Sequence, residues 1–345
     1  MNFFHISHND LDGYGCQFVS KRYYPDGIFF NCNYGLEVKI ALSDTYSLME
    51  QLPQNEEVFL LITDLNPTFA ECKDIDKKIN SLRETHNIKL QLLDHHVSGE
   101  KNAEAFEWYF LDVSRSATKI TYDYFNQNVS VLHDDKFVQR TVGAINSVDI
   151  WLENESDFEF GKVMMRMISG ANEINPTLFR DQNRDFRLWL ISEAGQFLGA
   201  QKDHIELDDN IHFFKKIYIG NGKKETLDNL CAEKLVQMLS QNQENLSVFY
   251  GKHKGLVSYA LGNISIPANA FLKQNPDFAF FIDVGKKGNV SMRAAGVVDV
   301  ASLASKIANG GGHKNASGGK FDDFSENMNY ESVRNFVQKK INERG

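Results

Sequence analysis

Several short stretches of the sequence carry more metal-capable side chains than packing requires. One is His8-Asn9-Asp10-Leu11-Asp12-Gly13, which directly follows the apolar stretch Phe3–Ile6. Read as an extended segment, its alternate residues share a face, so His8, Asp10 and Asp12 can converge on one point. Gly13 and Gly15 permit a tight turn into a following helix, whose N-terminus would itself favour phosphate. Taken alone, an acidic loop capping that helix explains the segment equally well. A second stretch is Asp94-His95-His96, placed at the end of Lys89–Leu93. Adjacent histidines after an aspartate are hard to justify by packing. Neutral imidazole is a common ligand for manganese, iron and zinc, and a nearby carboxylate can orient a ligating ring through its other nitrogen. A third is Gly310-Gly311-Gly312-His313, with Ala316-Ser317-Gly318-Gly319 behind it. Glycines let backbone N–H groups approach an anion, and His313 adds a donor. A flexible loop is the plainer alternative, but the framing between a helical stretch and a second glycine pair suggests a shaped phosphate or nucleotide cradle.

Single residues join these stretches. Asp64 ends the wholly apolar run Val58–Ile62, and in open α/β sheets ligands bind beyond the carboxyl ends of the strands. By itself it reads better as a helix cap, because Pro67 follows three residues later. Asp149 closes the stretch Val142–Val148 and alone would be an ordinary capping aspartate. Arg293 is the natural cationic partner of the glycine stretch, since arginine grips phosphate bidentately where lysine is a point charge.

The elements that must position these groups follow from periodicity. Phe3–Ile6, Val58–Ile62 and Lys89–Leu93 read as strands, with a helical pattern over Phe69–Arg83 between the last two. Strand–helix–strand at this spacing predicts a parallel α/β sheet, and strands buried on both faces read as continuous apolar runs. Residues 149–222 are helix-rich and acidic, Gly220-Asn221-Gly222 marks a break, and Glu225–Leu239 reads as a connecting helix. Farther on, Phe278–Val284 and Asn289–Ala294 read as strands around a Lys286-Lys287-Gly288 turn, and Val300–Ala308 as a helix.

Composition bounds what this chemistry can serve. At roughly 150 residues per domain, 345 residues suggest about two domains. No run of about 18 apolar residues predicts a membrane span. The start, Met1-Asn2-Phe3-Phe4-His5, reads as a strand and not a signal peptide. The four cysteines, Cys16, Cys32, Cys72 and Cys231, are scattered without CxxC spacing, which argues against a zinc knot or a disulfide framework and for a reducing cytoplasm. Net charge is −9, and the Lys-Lys pairs at 77–78, 215–216, 223–224, 286–287 and 339–340 are isolated. A grip on long duplexes needs a basic stripe. A nucleic-acid substrate should therefore be short and held locally.

Taken together and in this order, the motifs resemble the DHH/DHHA1 phosphoesterase superfamily, which includes the RecJ exonucleases, the nanoRNases and cyclic-dinucleotide phosphodiesterases. The opening Ser7-His8-Asn9-Asp10-Leu11-Asp12-Gly13 is most similar to the oligoribonuclease B branch. The related family of inorganic pyrophosphatases places its histidine farther upstream and lacks the Gly-Gly-Gly-His part. The resemblance implies an N-terminal parallel-sheet DHH domain over residues 1–200, a helical linker over 201–243 and a smaller α/β DHHA1 domain over 244–345, with the active site in the cleft between domains. It implies two divalent ions, Mn²⁺ by preference. His8, Asp10 and Asp64 would hold one; Asp12, Asp64, His95 and Asp149 the other. His96 would face the substrate phosphate with Asp94 behind it, and Arg293, Gly311, Gly312 and His313 would take the nucleotide side. Ser114, Arg115 and Ser116 match a polar stretch that follows Asp-His-His in relatives, and either serve phosphate or cap a helix. A paired ion centre of this kind activates water for phosphoryl chemistry.

The resulting expectation is a cytoplasmic, Mn-dependent hydrolase that releases nucleoside monophosphates from short RNA or DNA oligonucleotides or dinucleotides. Rivals are a cyclic-dinucleotide phosphodiesterase, a phosphatase of 3′-phosphoadenosine 5′-phosphate, and a catalytically inactive nucleotide-binding protein, which the full ligand set counts against. An editing-type domain would share only the Gly-Gly-Gly-His part. Relatives often dimerise, so a homodimer belongs to the expectation, though no residue pattern marks an interface.

Overall fold

A computed structural model describes residues 1–128, 135–326 and 329–344. Its elements run β1 (Asn2–Ser7), α1 (Leu11–Tyr23), β2 (Ile28–Asn31), α2 (Leu36–Glu50), β3 (Glu57–Thr63), α3 (Phe69–Leu82), β4 (Asn87–Asp94), α4 (Glu100–Ala105), β5 (Tyr109–Leu111), α5 (Ala117–Asn128), α6 (Lys136–Asp149), α7 (Phe158–Ser169), α8 (Arg180–Gly195), α9 (Asp203–Gly220), α10 (Leu227–Gln241) and α11 (Gln243–Leu246). They continue with β6 (Ser247–Tyr250), β7 (His253–Tyr259), α12 (Ser265–Gln274), β8 (Phe278–Val284), β9 (Asn289–Ala294), α13 (Val300–Ile307), β10 (Gly311–His313), β11 (Ala316–Lys320) and α14 (Tyr330–Arg344). Among the described residues, no helix is long and apolar enough to cross a membrane.

Internal contacts divide the chain into two compact units, residues 1–171 with 184–214, and residues 172–183 with 215–345. The division falls inside α9 and differs from the 200 and 243 boundaries read from sequence. Asn175 explains why the 172–183 segment joins the second unit. Its side-chain amide donates to the carbonyls of Tyr259 and Ala260 at 3.1 and 3.2 Å, and Leu178 packs into that unit's core.

The first unit is built on an all-parallel sheet, order β2-β1-β3-β4-β5. Residues Val58–Ile62 of β3 are buried on both faces, as a continuous apolar run in a parallel sheet must be. One face packs Phe4, Ile6, Leu60 and Leu92 on α2 and α3 through Val38, Leu42, Cys72, Ile75 and Ile79. Between β1 and β3 the strand order reverses, and the crevice beyond their carboxyl ends is where such sheets bind ligands.

Under that crevice runs a buried polar row. The His5 ring is within hydrogen-bond reach of Ser20 Oγ at 2.7 Å and Thr63 Oγ1 at 2.8 Å. Ser7 Oγ bonds with Thr63 Oγ1 at 2.7 Å and donates to the Gly13 carbonyl at 2.9 Å. These bonds tie β1, β3 and α1 together where an all-apolar contact would leave register looser.

The second unit has a mixed sheet, order β10-β11-β9-β8-β7-β6, in which only the β7–β8 pair is parallel. Its main core, including Tyr259, Phe280, Ile282, Met292, Leu303, Phe321 and Val337, lies on the side of α13 and α14, while α12 packs against β8 and β9. The strands Phe278–Val284 and Asn289–Ala294 have the bounds read from sequence. The stretch Gly310–His313 departs from the expected loop. Residues 311–313 form a strand paired with Ala316–Gly318.

Burial pushes the His5 ring down to about 3. The unfolded chain takes up this proton near pH 6.5 and the folded chain does not, so stability is lost as pH falls from about 6.5 towards 3. Chemical denaturation of the wild type across that window should show a loss about 1.4 kcal/mol per pH unit steeper than in His5→Gln. Parallel curves for the two proteins would mean that His5 is charged in the fold.

Candidate metal centre

The side chains of the cluster come from the ends of β1, β3, β4 and α6 and from the start of α1. His8 follows β1, Asp10 is the N-cap of α1, and Asp12 lies in that helix's first turn. The segment is thus a strand-to-helix corner and not the extended run read from sequence. Gly13 and Gly15 sit inside α1, where they serve close packing. A Cβ on Gly13 would lie 2.2 Å from the His8 carbonyl, and one on Gly15 2.2 Å from Thr118 Oγ1. Asp64 follows β3, Asp94 ends β4 with His95 and His96 behind it, and Asp149 is the last residue of α6. Asp64 is not the cap of the next helix, because Thr68 fills that role in a capping box with Glu71. Its own backbone is left-handed at φ 56°, an uncommon conformation for a residue with a side chain, and a local strain that aims the carboxylate inward.

The structure brings seven of these side chains into overlapping groups. His8, Asp10 and Asp64 offer ligand atoms within 4.8 Å of one another, as do Asp12, His95 and Asp149, and Asp64, His95 and His96. His8 Nδ1 is 2.8 Å from Asp10 Oδ2 and 3.6 Å from Asp64 Oδ2. His95 Nε2 stands 3.8, 3.4 and 3.5 Å from Asp12, Asp64 and Asp149.

Their environments differ in a way that separates cation-ready groups from those already served. Asp12, 1 % exposed, accepts from the Ala117 and Thr118 backbone amides at 2.8 and 2.9 Å, so the N-terminus of α5 faces its charge. Burial nonetheless raises its pKa. Asp10 is exposed; crowding by its neighbours acts to raise its pKa, yet the contact with His8 holds it down at about 2. Burial alone would lower His8, but hydrogen bonds with Asp10 and Asp64 push it up to about 10. Asp64 and Asp149 are served less closely: His8 stands 3.6 Å from Asp64, and His95 stands 3.4 and 3.5 Å from Asp64 and Asp149. Oδ2 of each is buried without a hydrogen bond. Burial, then the charge of Asp12, raises Asp64 well above the usual carboxylate range, and burial with Asp12 and Asp64 pushes Asp149 up to about 9. Orphaned carboxylate oxygens beside two imidazoles, with no cysteine, fit a divalent cation with mixed oxygen and nitrogen ligation.

His96 has a different job. Its Nδ1 lies 2.6 Å from Asp94 Oδ1, and Tyr109 donates to Asp94 Oδ2 at 2.5 Å. The carboxylate of Asp94 is fully buried and raises the His96 pKa. Tyr34 Oη stands 3.2 Å from His96 Nε2, and its ring approaches His8 at 5.0 Å between centroids. Neither Tyr34, in the turn after β2, nor Tyr109, the first residue of β5, was visible from sequence, because a lone tyrosine in such a position carries no signature. The polar stretch after Asp-His-His is engaged locally. Ser114 bonds Asp112, Arg115 pairs with Asp112 and Asp123, and buried Ser116 meets Asn146 and caps α5.

In the second unit, Arg293 donates to Ser265 Oγ and to the Met292 carbonyl at 2.7 and 2.8 Å. Arg293 stands opposite Ala316, and Ala316 opposite His313, so both side chains leave the same face of the sheet. The three glycines are not equivalent. A Cβ on Gly310 would strike the Gly318 carbonyl at 2.0 Å and one on Gly312 the Ala316 carbonyl at 2.8 Å, whereas one on Gly311 would meet nothing within 4 Å. Packing requires the first two; it does not require Gly311.

This arrangement defines a metal-dependent phosphoesterase with a glycine-bearing second domain. A DHHA1 domain model matches residues 245–343. A Helicobacter pylori protein named 3′,5′-cyclic-nucleotide phosphodiesterase is 41 % identical over 99 % of both chains. The Bacillus subtilis oligoribonuclease NrnB is 24 % identical over 92 % of this chain and 72 % of its own. The crystal structure of an uncharacterized protein from Helicobacter pylori G27 superposes with a TM-score of 0.93, at 42 % identity and 99 % coverage of each chain. The chain belongs to the DHH/DHHA1 phosphoesterase superfamily.

Without a cation, Asp149 is a liability. At pH 8, below its value of about 9, Asp149 must take up a proton in the metal-free fold; Asp149→Asn removes that cost and should raise the Tm of EDTA-treated protein by about 2–4 °C. Mn²⁺ at about 100 times its Kd should stabilise the wild type by about 2.7 kcal/mol and the variant by far less. An equal Mn²⁺ shift in both would remove Asp149 from the ligand set.

Proposed function

We propose that this enzyme hydrolyses phosphodiester bonds in small nucleotides, with two divalent ions, Mn²⁺ by preference. The observation that carries this reading is the meeting of His8, Asp10, Asp12, Asp64, His95 and Asp149 around buried carboxylate oxygens that lack partners. His8, Asp10 and Asp64 would hold one ion and Asp12, Asp64, His95 and Asp149 the other, with Asp64 shared. When bound, such ions offset phosphate charge and lower the pKa of water.

The chain's own groups do the rest. The α5 amides aim the Asp12 carboxylate and favour its charged form, and the left-handed backbone at Asp64 sets the direction of its carboxylate. His96, oriented by Asp94, is the group directed at the phosphate. It steadies a non-bridging oxygen or holds a proton near the leaving oxygen as the P–O bond breaks and the water oxygen joins phosphorus. Arg293 and His313, with the unobstructed backbone of Gly311, would recognise the nucleotide side. Ser114, Arg115 and Ser116 support the site at one remove, through the helix start that Asp12 caps.

The absence of a basic stripe, at net charge −9, fits a small substrate held locally. The relative 41 % identical over nearly the full length favours a 3′,5′-cyclic nucleotide. The oligoribonuclease relative supports the second reading, a short RNA cut to nucleoside monophosphates.

A substrate panel decides between them: 3′,5′-cyclic mononucleotides, RNA of two residues upward, cyclic dinucleotides and 3′-phosphoadenosine 5′-phosphate, each with Mn²⁺ or EDTA. Turnover should require the metal and be fastest on the smallest diesters; activity confined to long duplex DNA would refute the proposal. Asp64→Ala and His95→Ala should each lower kcat by 10³-fold or more, on the order of losing an electrostatic centre. Arg293→Ala should mainly raise KM.

A further inference from the structure

Helix α6 ends in a way its sequence makes unfavourable. Ile150 N–H donates to the Asn146 carbonyl at 3.3 Å, and Leu152 N–H reaches back to the Ser147 carbonyl at 2.7 Å. This is the long return bond of a Schellman-type C-terminus, in which the residue before the returning amide takes a left-handed backbone and is usually glycine. Here that residue is Trp151, at φ 57°. For a bulky side chain this is a genuine steric outlier. Burial does not offset it, because Trp151 is 60 % exposed.

The ring is nonetheless held in place. Its Nε1 donates to Glu153 Oε1 at 2.6 Å, and it meets buried Phe158 edge to face, with centroids 5.1 Å apart and planes at 84°. One perpendicular contact leaves at least one indole face open. Trp151 stands two residues after Asp149, so its Cα is within about 7 Å of a residue of the metal centre. That span is comparable to the ribose that separates a base from its phosphate.

We infer that Trp151 is a stacking platform for the base of the nucleotide whose phosphate is cleaved, an inference that rests on the phosphodiesterase reading above. Every base has a π-face, so stacking is tolerant of sequence. Trp151 therefore favours nucleotides over base-free phosphodiesters without choosing among bases. A rigid, pre-set ring loses little freedom when the base arrives, which is what a strained but immobile tryptophan provides.

The strain makes the test clean. Trp151→Gly removes the ring and gives the helix end its preferred residue, so the fold should not suffer. With Mn²⁺-loaded full-length protein, Trp151→Gly should raise KM for an RNA dinucleotide about 5- to 100-fold, the range for losing one base–aromatic stack, with kcat little changed. KM for the abasic analogue of the same dinucleotide should not move. Trp151→Phe should restore most of the affinity, and Trp151→Leu should not. An unchanged dinucleotide KM in Trp151→Gly, an equal loss on the abasic analogue, or full rescue by leucine would each overturn the inference. If the wild type cleaves neither dinucleotides nor cyclic nucleotides while Mn²⁺ still raises its Tm, the phosphodiesterase reading fails and this inference falls with it.

Discussion

Four carboxylates, three of them largely buried, are gathered where an oxygen on two of them accepts no hydrogen bond. A pair of like charges about 5 Å apart costs about 3 kcal/mol at an effective dielectric of 20. The first unit solves this unevenly. Asp12 has the start of α5 and Asp10 has His8 at 2.8 Å, but Asp64 has only the longer approaches of His8 and His95, at 3.6 and 3.4 Å, and Asp149 only that of His95, at 3.5 Å. The imbalance is local: it falls on Asp64 and Asp149, whose buried Oδ2 atoms accept no hydrogen bond.

The parallel sheet makes this possible. Its strands point their carboxyl ends the same way, so β1, β3 and β4 deliver His8, Asp64 and His95 to one edge from widely separated stretches of sequence. The buried hydroxyls and imidazole of Ser7, Thr63, Ser20 and His5 fix the relative height of β1 and β3 beneath the centre. A one-residue slip there would turn the ligand-bearing ends to opposite faces.

Much of this was legible in the residues. Asp-His-His after an apolar run announces a strand-end cluster, and the continuous run Val58–Ile62 announces a strand covered on both faces. What could not be read was local geometry. The chain turns into a helix at this point, so His8 and Asp10 gather with Asp64 while Asp12 gathers with His95 and Asp149, and the single point of convergence that alternation suggested is not what forms. The glycine stretch is a strand because Gly310 and Gly312 lie against the backbone of β11, a contact no propensity encodes. Tyr34, Tyr109 and the α5 amides act through positions set by tertiary contacts alone. The acidic middle of the sequence offered no motif. Its segment 172–183 is claimed by the second unit through single side chains such as Asn175.

That claim has a consequence for how the chain can be handled and how it matures. The polypeptide passes between its two units three times, after residues 171, 183 and 214. Neither unit is a contiguous stretch, so no single truncation isolates one, and one proteolytic nick at a crossing leaves two covalent ties. During synthesis the first unit cannot be finished until residues 184–214 emerge, after a piece of its neighbour has already been made. The catalytic half therefore completes late, with an orphaned fragment of the other half waiting beside it on the ribosome.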